Sequence, residues 1–435
     1  MSPFKKIHFT TALAVFFLTC ISSTYAAPAE KIKLIKAAYL LDVKTGKLIQ
    51  NPQVLIEGER IKAIGNAITI PDNAEIIDLG EHILLPGLID AHVHITGGGA
   101  ALGTNPGTAR IALRSAHNAK ITLDKGFTTV RSMGGAAYAG IALRDAINAG
   151  DVAGPRIYDA GAILSVTGGH CSGPRSAPDT IVEGRNVANS PDEFRQKVRE
   201  VSKYGADFVK ICITGGFVSG SDATITQFTE EEVRTVIATA HSLGKKVAVH
   251  AHATEGVKLA LRAGADSIEH GSLIDDEGIN LFKKNRHSVL VPTLSVYGTA
   301  LQRAEAAGTT PATHKKLTYV LNVYQQNIAK AVKAGVPIVY GTDGPPGNNS
   351  TEFALLVGVG LSPLQAIQAA TVNAANLLDA NDDIGAIEVG KYADLIAVKQ
   401  NPLSDIKTLE NIPWVLKGGV IYKDERSPAT ATPAQ

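Results

Sequence analysis

Short apolar segments alternate with longer amphipathic segments through the middle of the chain, and this alternation constrains the fold more than any other feature. Eight of the apolar segments have the length and composition of strands, and helical periodicity fills the intervals between them. Repeated βα units form parallel sheets, and eight of them favour an α/β fold of the (β/α)8 TIM-like barrel type over an open doubly wound sheet. The predicted strands are 84–94, 128–131, 156–160, 208–211, 247–250, 267–270, 288–291 and 336–340. The predicted helices include 192–204, 229–243, 254–263 and 314–334.

Further strand-like segments lie at both ends of the chain, outside this alternation. Between about residues 32 and 80 they are separated by turn formers such as Glu57-Gly58-Glu59, and similar segments return at 393–398 and 414–422. The simplest interpretation is a small β-sandwich module built from both termini beside the barrel. The predicted division is 27–82 plus 384–425 for the module, 83–383 for the barrel and 426–435 for a tail.

The first residues have the three-part design of a secretory signal peptide. Lys5-Lys6 precede an apolar stretch that ends near Cys20, and small and polar residues follow up to Ala26-Ala27. The stretch is shorter than the ~20 residues that a bilayer requires, so a membrane anchor is the weaker interpretation. The bulky residues before Cys20 disfavour a lipoprotein anchor. We therefore expect residues 1–26 to be removed, leaving an exported protein, periplasmic or secreted, without a stable membrane span.

Positive and negative side chains are nearly balanced, with 42 lysines and arginines against 41 aspartates and glutamates. No basic run with interleaved aromatic residues occurs, so the sequence indicates a small-molecule substrate and no nucleic-acid partner. The glycine-rich segments 97–99 and 134–135 lack the spacing of nucleotide-binding loops, and we interpret them as loops at the barrel mouth. The sequence leaves open whether the chain forms a homo-oligomer.

Polar residues of metal-binding type end several of the predicted strands. Two histidines with one residue between them end the first predicted strand, so both side chains project from the same face. The same spacing recurs at the fifth predicted strand. Each residue alone has an ordinary explanation, such as a core histidine pair, a snorkelling lysine or a turn aspartate. Because the carboxyl ends of barrel strands converge on one cavity, the set as a whole predicts a metal site. Its members are His92, His94, Lys210, His250, His252, His270 and Asp343.

With these motifs the chain resembles the amidohydrolase superfamily over nearly all of residues 32–423. The segments that carry the resemblance are 85–94, 209–211, 249–252, 268–271, 340–343 and 385–395. Within the superfamily the chain looks most like the prolidase-like and ochratoxinase-like amidases, through Thr167-Gly168-Gly169-His170, Gly215-Gly216 and Pro292-Thr293-Leu294. Imidazolonepropionase-type enzymes share much of the same pattern.

The resemblance implies two divalent metal ions, expected to be zinc. It implies that His92 and His94 hold the more buried ion and that His250 and His270 hold the more exposed one. It also implies that Lys210 is carbamylated and bridges both ions, and that Asp343 completes the ligand set. Either histidine of the 250–252 pair could be the ligand. We expect His250, the deeper one, which leaves His170 and His252 to bind substrate.

The expected reaction is hydrolysis of an amide bond in a dipeptide or an N-acyl amino acid. A metal-bridging hydroxide would attack the carbonyl, with Asp343 as the general base and His170 or His252 donating to the carbonyl oxygen. Arg131 and Arg175 are the cations predicted to meet a substrate carboxylate. Two alternatives remain, a cyclic-amide hydrolase of the imidazolonepropionase type and, less favoured, a non-catalytic exported metal-binding protein. Cys171 and Cys212 either form a disulfide or line the pocket as thiols.

Overall fold

The computed structural model of the protein describes residues 31–97, 107–172, 186–217, 221–306, 308 and 311–426. The predicted signal peptide, and all but the first residue of the predicted tail, lie outside the described residues. The strands are β1 (Ile32–Lys36), β2 (Tyr39–Asp42), β3 (Lys47–Gln50), β4 (Gln53–Glu57), β5 (Arg60–Gly65), β6 (Glu75–Asp78), β7 (Ile83–Pro86), β8 (Leu88–Val93), β9 (Phe127–Ser132), β10 (Arg156–Asp159), β11 (Ile163–Leu164), β12 (Val209–Cys212), β13 (Val247–Ala251), β14 (Ser267–His270), β15 (Val289–Val291), β16 (Leu395–Val398), β17 (Trp414–Lys417) and β18 (Val420–Asp424). The helices are α1 (Thr108–Asp124), α2 (Ala139–Ala149), α3 (Pro191–Lys203), α4 (Glu230–Ser242), α5 (Thr254–Ala263), α6 (Asp276–Lys284), α7 (Leu294–Ala306), α8 (Pro311–Lys333), α9 (Glu352–Gly358), α10 (Pro363–Ala369) and α11 (Val372–Leu377).

Strands from both ends of the chain form two facing sheets. One sheet has the order β5-β4-β1-β6 and the other the order β18-β17-β16-β7-β2-β3. The N-terminal and C-terminal parts meet where β7 pairs antiparallel with β16, with Ile83 opposite Val398. Apolar side chains of both sheets share one buried core, so the module is a β-sandwich. Members of this core include Ile35, Val54, Ile56, Leu84, Leu395, Trp414 and Leu416.

The middle of the chain forms β/α units whose strands are parallel. One sheet has the order β10-β9-β8 and a second has the order β11-β12-β13-β14-β15. Because β10 and β11 belong to one segment, 156–164, that segment connects the two sheets on one side. On the other side, Val339 N donates to Leu290 O at 3.0 Å and Ala91 N donates to Tyr340 O at 2.9 Å. The strand ladders form two arcs rather than one closed ring, in the architecture of a TIM-like barrel with a β-sandwich.

Two of the predicted strands need correction. The segment 84–94 is broken at Gly87 into β7, which pairs in the sandwich, and β8, which lies in the barrel. The segment 336–340 is not a regular strand, and it has only an isolated bridge between Ile338 and Leu290. Pro337 lacks the N–H that a ladder requires, so this part of the barrel relies on scattered hydrogen bonds.

Helices around the barrel begin at caps that the sequence already contains. Ser190 accepts a hydrogen bond from Glu193 N at the start of α3, which has proline at its first turn. Thr229 and Glu232 form a capping box at the start of α4. Both helices therefore start within one residue of the predicted positions. Within the described residues, no helix is both long and apolar enough to cross a bilayer.

We predict that Trp414 is a main determinant of sandwich stability. It is fully buried, and its indole nitrogen has no hydrogen-bond partner among the described residues. Trp414→Ala should therefore lower the free energy of unfolding by about 3–5 kcal/mol, measured by urea denaturation with circular dichroism. Trp414→Phe should cost less, since it removes an unpaired polar group while keeping a ring. Tyr319→Ala, at a ring that is 68% exposed, is the control. A Trp414→Ala loss no larger than that of the control would contradict the prediction.

Candidate metal centre and active site

The carboxyl ends of the barrel strands bring the predicted histidines into one cluster. Neighbouring rings have centroids 4.5 to 5.8 Å apart. β8 carries the first histidine and leads to the second, β13 carries the third and leads to the fourth, and β14 ends at the fifth. The barrel topology therefore places side chains from distant parts of the sequence side by side. The clustered histidines are His92, His94, His250, His252 and His270.

Two groups of three side chains have their donor atoms within 4.8 Å of one another. One group is His250, His252 and His270, and the other is His92, His270 and Asp343. Asp343 Oδ1 lies 3.7 Å from His92 Nε2 and 3.5 Å from His94 Nε2. Imidazole nitrogens together with a carboxylate form a donor set that suits divalent transition metals.

Burial keeps four of the clustered imidazoles neutral, those of His92, His250, His252 and His270. It is the main cause that lowers the pKa of His92, His250 and His270 well below the usual value. The pKa of His252 falls to about 3, again chiefly through burial, with His170 and Lys210 adding to the shift. A neutral imidazole has one N–H and one lone pair, so these rings can act as ligands at neutral pH. The electrostatics of the cluster therefore fit a bound cation.

Hydrogen bonds to the Nδ1 atoms orient the rings around the centre. His92 Nδ1 lies 2.7 Å from Glu269 Oε2, and His94 Nδ1 lies 3.2 Å from Gly134 O. Because a carboxylate and a carbonyl can only accept, both Nδ1 atoms carry the proton and both lone pairs are on Nε2. His270 Nδ1 lies 2.7 Å from the Thr293 hydroxyl. Such outer contacts set which nitrogen is free to bind a metal.

The two histidines of the 250–252 pair have different surroundings. His250 Nε2 lies 3.2 Å from Gly215 O, so this nitrogen donates and the lone pair is on Nδ1. His252 Nδ1 lies 2.6 Å from Ser272 Oγ, and its Nε2 lies 3.3 Å from the Tyr297 hydroxyl. Both nitrogens of His252 thus have hydroxyl neighbours. This difference favours His250 as the ligand.

Lys210 lies on β12 among these rings and is almost fully buried. Only 2% of the residue is exposed, and burial lowers the pKa of its ammonium group to about 8. The carboxylates of Glu269 and Asp343 counteract this shift, while Arg131 adds to it. An appreciable fraction of Lys210 is therefore a neutral amine near neutral pH. A neutral amine can react as a nucleophile, which an ammonium cannot.

The backbone is in the left-handed region at three residues of the site. His270 has φ 72°, Thr293 has φ 51° and Asp343 has φ 49°. For residues with a Cβ this conformation is unfavourable and persists only where the surroundings enforce it. Asp90 supplies part of that enforcement, because its carboxylate accepts from Thr342 N at 3.1 Å and from Thr342 Oγ1 at 2.7 Å.

His170 reaches the cluster from the loop after β11. Its ring stacks on His250 with centroids 4.5 Å apart, and a Cβ on Gly216 would collide with it. A disulfide between Cys171 and Cys212 ties this loop to the end of β12. The structure thus selects the disulfide from the two alternatives for these cysteines. Burial lowers the pKa of His170 to about 4, so this ring is neutral as well.

The prediction that Arg131 meets a substrate carboxylate is wrong. Arg131 is 3% exposed, and its Nη2 lies 2.7 Å from Glu269 Oε1. Its charge is therefore paired within a buried ion pair beside the histidines, and it does not face a substrate. Arg175, the other predicted cation, lies outside the described residues.

Sequence reasoning gave no role to Glu269 or Tyr297, which both contact clustered histidines. Glu269 lies in the segment 268–271 that carries the family resemblance, and a charge inside an apolar strand is the signal that could have identified it. Tyr297 touches His252 from α7, which starts right after the predicted strand 288–291. No pattern in the sequence distinguishes Tyr297 from an ordinary core tyrosine.

Comparisons with known proteins agree on the kind of protein. The profile of the Amidohydrolase family matches residues 83–421. Ochratoxinase of Aspergillus niger is 30% identical over 426 residues, covering 90% of this chain and 87% of the relative. Imidazolonepropionase of Fusobacterium nucleatum is 26% identical, covering 79% of this chain and 84% of the relative. The crystal structure of a Xaa-Pro dipeptidase with bound methionine in its active site has a TM-score of 0.85 at 38% identity, covering 90% of this chain and all of that chain.

The disulfide predicts a simple thiol count. Protein beginning at Ala27, denatured without reductant, should give no free thiol with a thiol-reactive dye, and two after reduction. Cys171→Ser is the control and should give one thiol under both conditions, from Cys212. Two thiols in the unreduced protein would contradict the pairing.

Proposed function

Because this chain belongs to the amidohydrolase family, we propose that it hydrolyses the amide bond of a dipeptide or an N-acyl amino acid. That it is a hydrolase acting on carbon–nitrogen bonds follows from the family and its hydrolase relatives. The observation that carries the proposal is the position of Asp343, whose carboxylate lies within 3.7 Å of two ring nitrogens of the cluster. A carboxylate at that point can both help to hold a metal and move a proton.

The proposed ligands form two neighbouring positions. His92 and His94 belong to the first, and His250 and His270 belong to the second. Asp343 adjoins the first position through its contacts with both ring nitrogens there. Histidine nitrogens with a carboxylate suit zinc, which is the metal we propose. When bound, such ions polarise the scissile carbonyl and lower the pKa of a water molecule.

The buried position of Lys210 supports the proposal that this lysine is carbamylated. A neutral amine is the form that reacts with carbon dioxide, and the lowered pKa of about 8 supplies it. The amine nitrogen bonds to the carbon of carbon dioxide as one C=O π bond opens, and the product releases one proton. Counted from the ammonium form, two protons leave and a buried cation becomes an anion. An anion among metal ions is better compensated than an ammonium group would be. We therefore propose that Lys210, once carbamylated, would contribute a ligand oxygen to each of the two metal positions.

Asp343 is the proposed general base. Burial raises the pKa of its carboxyl group, while His94 and Lys210 lower it. In the proposed reaction it takes one proton from the attacking water and passes it to the leaving nitrogen as the C–N bond breaks. His252, held beside the Tyr297 hydroxyl, and His170 would donate hydrogen bonds to the carbonyl oxygen as negative charge develops there.

The substrate class rests on the relatives and on the surface next to His252. Phe217 lies edge-on to His252 at 4.9 Å, and its ring is 5.9 Å from that of Tyr297. These rings give the site an apolar side, which suits an apolar group on the substrate. The dipeptidase and ochratoxinase likenesses favour a linear amide, and the imidazolonepropionase likeness keeps a cyclic amide as the alternative.

The disulfide supports an exported protein, because oxidising compartments preserve such bonds.

Removing the proposed base should separate metal binding from turnover. We expect Asp343→Asn to retain most of its metal and to lose about 10²–10⁴-fold in kcat, the usual contribution of a general base. Lys210→Ala should lose both metal and turnover. Metal content by mass spectrometry and steady-state rates provide the measurements, and Lys246→Ala, at a lysine paired with Asp379, is the lysine control. Undiminished hydrolysis by either site variant would rule out the mechanism.

A substrate panel tests the choice between linear and cyclic amides. Purified protein with measured metal content should turn over members of a dipeptide and N-acyl amino acid set, with little activity on lactams or imidazolones. Asp343→Asn is the matched control, because any rate that it retains comes from another source. Turnover of the cyclic amides alone would overturn the proposed substrate class and favour the alternative.

A further inference from the structure

A buried ion pair lies behind the histidine cluster and has no role in the proposed chemistry so far. Glu269 is fully buried and Arg131 is 3% exposed, and their charged groups are 2.7 Å apart. Ion pairs of this kind rarely increase stability, because the desolvation of both groups offsets their attraction. Its presence in the core therefore calls for a reason other than stability.

Both members of the pair hold His92, one of the proposed metal ligands. Glu269 Oε2 accepts from His92 Nδ1 at 2.7 Å. Arg131 Nε donates to the carbonyl oxygen of Ala91, the residue before His92, at 2.6 Å. The carboxylate thus fixes the ring of His92 and the guanidinium fixes the backbone that carries it.

Ser267 completes the arrangement between the two charges. Its hydroxyl donates to Glu269 Oε1 at 2.5 Å and accepts from Arg131 Nη1 at 2.9 Å. Each Glu269 oxygen therefore has a donor, and the guanidinium has three acceptors. A network satisfied in this way holds one geometry, because any rotation of Glu269 would leave a buried charge unpaired.

We propose that Arg131 and Glu269 form a positioning pair that sets the metal affinity of the His92 position. The pair keeps the proton on His92 Nδ1 and directs the Nε2 lone pair toward Asp343, 3.7 Å away. This inference rests on the proposed function, since it assumes that a metal binds His92. Glu269 acts through His92 and is not itself a catalytic residue. Outer partners of this kind typically change metal affinity by about 10–100-fold.

The first experiment compares two carboxylates that each pair with an arginine. Glu269→Gln removes the charge but keeps a side chain of the same shape beside His92. Asp394→Asn is the control, because Asp394 pairs with the half-buried Arg156 and neither residue belongs to the histidine cluster. Zinc affinity is measured by competition with a chromophoric chelator, at the same bicarbonate concentration for every variant so that carbamylation of Lys210 is comparable. Thermal unfolding is measured on metal-free protein. We expect Glu269→Gln to weaken zinc binding about 10–100-fold. Asp394→Asn should lower the unfolding temperature without changing zinc affinity.

A double variant separates positioning from stability. Glu269→Gln alone leaves the Arg131 charge buried and unpaired, which destabilises the protein. Glu269→Gln combined with Arg131→Met removes both charges, so the unfolding temperature should recover while zinc affinity stays weak. Recovery of zinc affinity together with stability would show a merely structural role and overturn the proposal. Wild-type affinity in Glu269→Gln would overturn it as well.

A third variant and the metal content of the wild-type protein settle the remaining outcomes. If neither Glu269 variant folds, Ser267→Ala decides, because it removes one hydrogen bond from each partner without unpairing a charge. A measurable loss of zinc affinity in Ser267→Ala supports the proposal, and wild-type affinity overturns it. Wild-type protein that binds no zinc or other divalent metal contradicts the proposed function instead, since the metal centre itself would then be absent.

Discussion

The barrel buries two cationic side chains, Lys210 and Arg131, directly beneath a cluster of histidines, and the surrounding structure compensates for them. Arg131 is neutralised by Glu269, and Lys210 has its pKa lowered to about 8 by burial. The same burial keeps His92, His250 and His270 neutral. Several neutral imidazoles beside the Asp343 carboxylate form a region that suits cations, and the family is one in which such cations perform chemistry.

Precision at this centre comes from contacts that do not themselves react. Asp90 holds the segment before Asp343, and Glu269 holds the ring of His92. The left-handed backbone at His270, Thr293 and Asp343 is the cost of turning these side chains inward at the strand ends. The rigid barrel beneath them provides the support that such strained turns require. Ligand geometry is therefore a property of the whole barrel end rather than of single residues.

The side of the centre that carries His170 is built differently. His170 comes from a loop, and its place over His250 depends on the Cys171–Cys212 disulfide and on the missing side chain of Gly216. Phe217 follows directly and forms an apolar surface with Tyr297. Loops of this kind vary in sequence without disturbing the barrel. That separation is consistent with the range of names among proteins similar to this chain, which include a Xaa-Pro dipeptidase, an ochratoxinase and an imidazolonepropionase.

The sequence by itself determined the order of βα units and the polar residues at their ends, because strand period and chain order are local properties. Parallel strands bring those ends together, so His92, His250, His270 and Asp343 could be assigned to one cavity before any coordinates. It did not determine which ring nitrogen faces the centre or where Arg131 points, because those depend on partners 138 and 177 residues away along the chain. The disulfide and the irregular segment at Pro337 were likewise decided only when the strands were packed against each other. Strand register and side-chain packing are tertiary properties, and they determine how the donor atoms of these side chains are oriented around the centre.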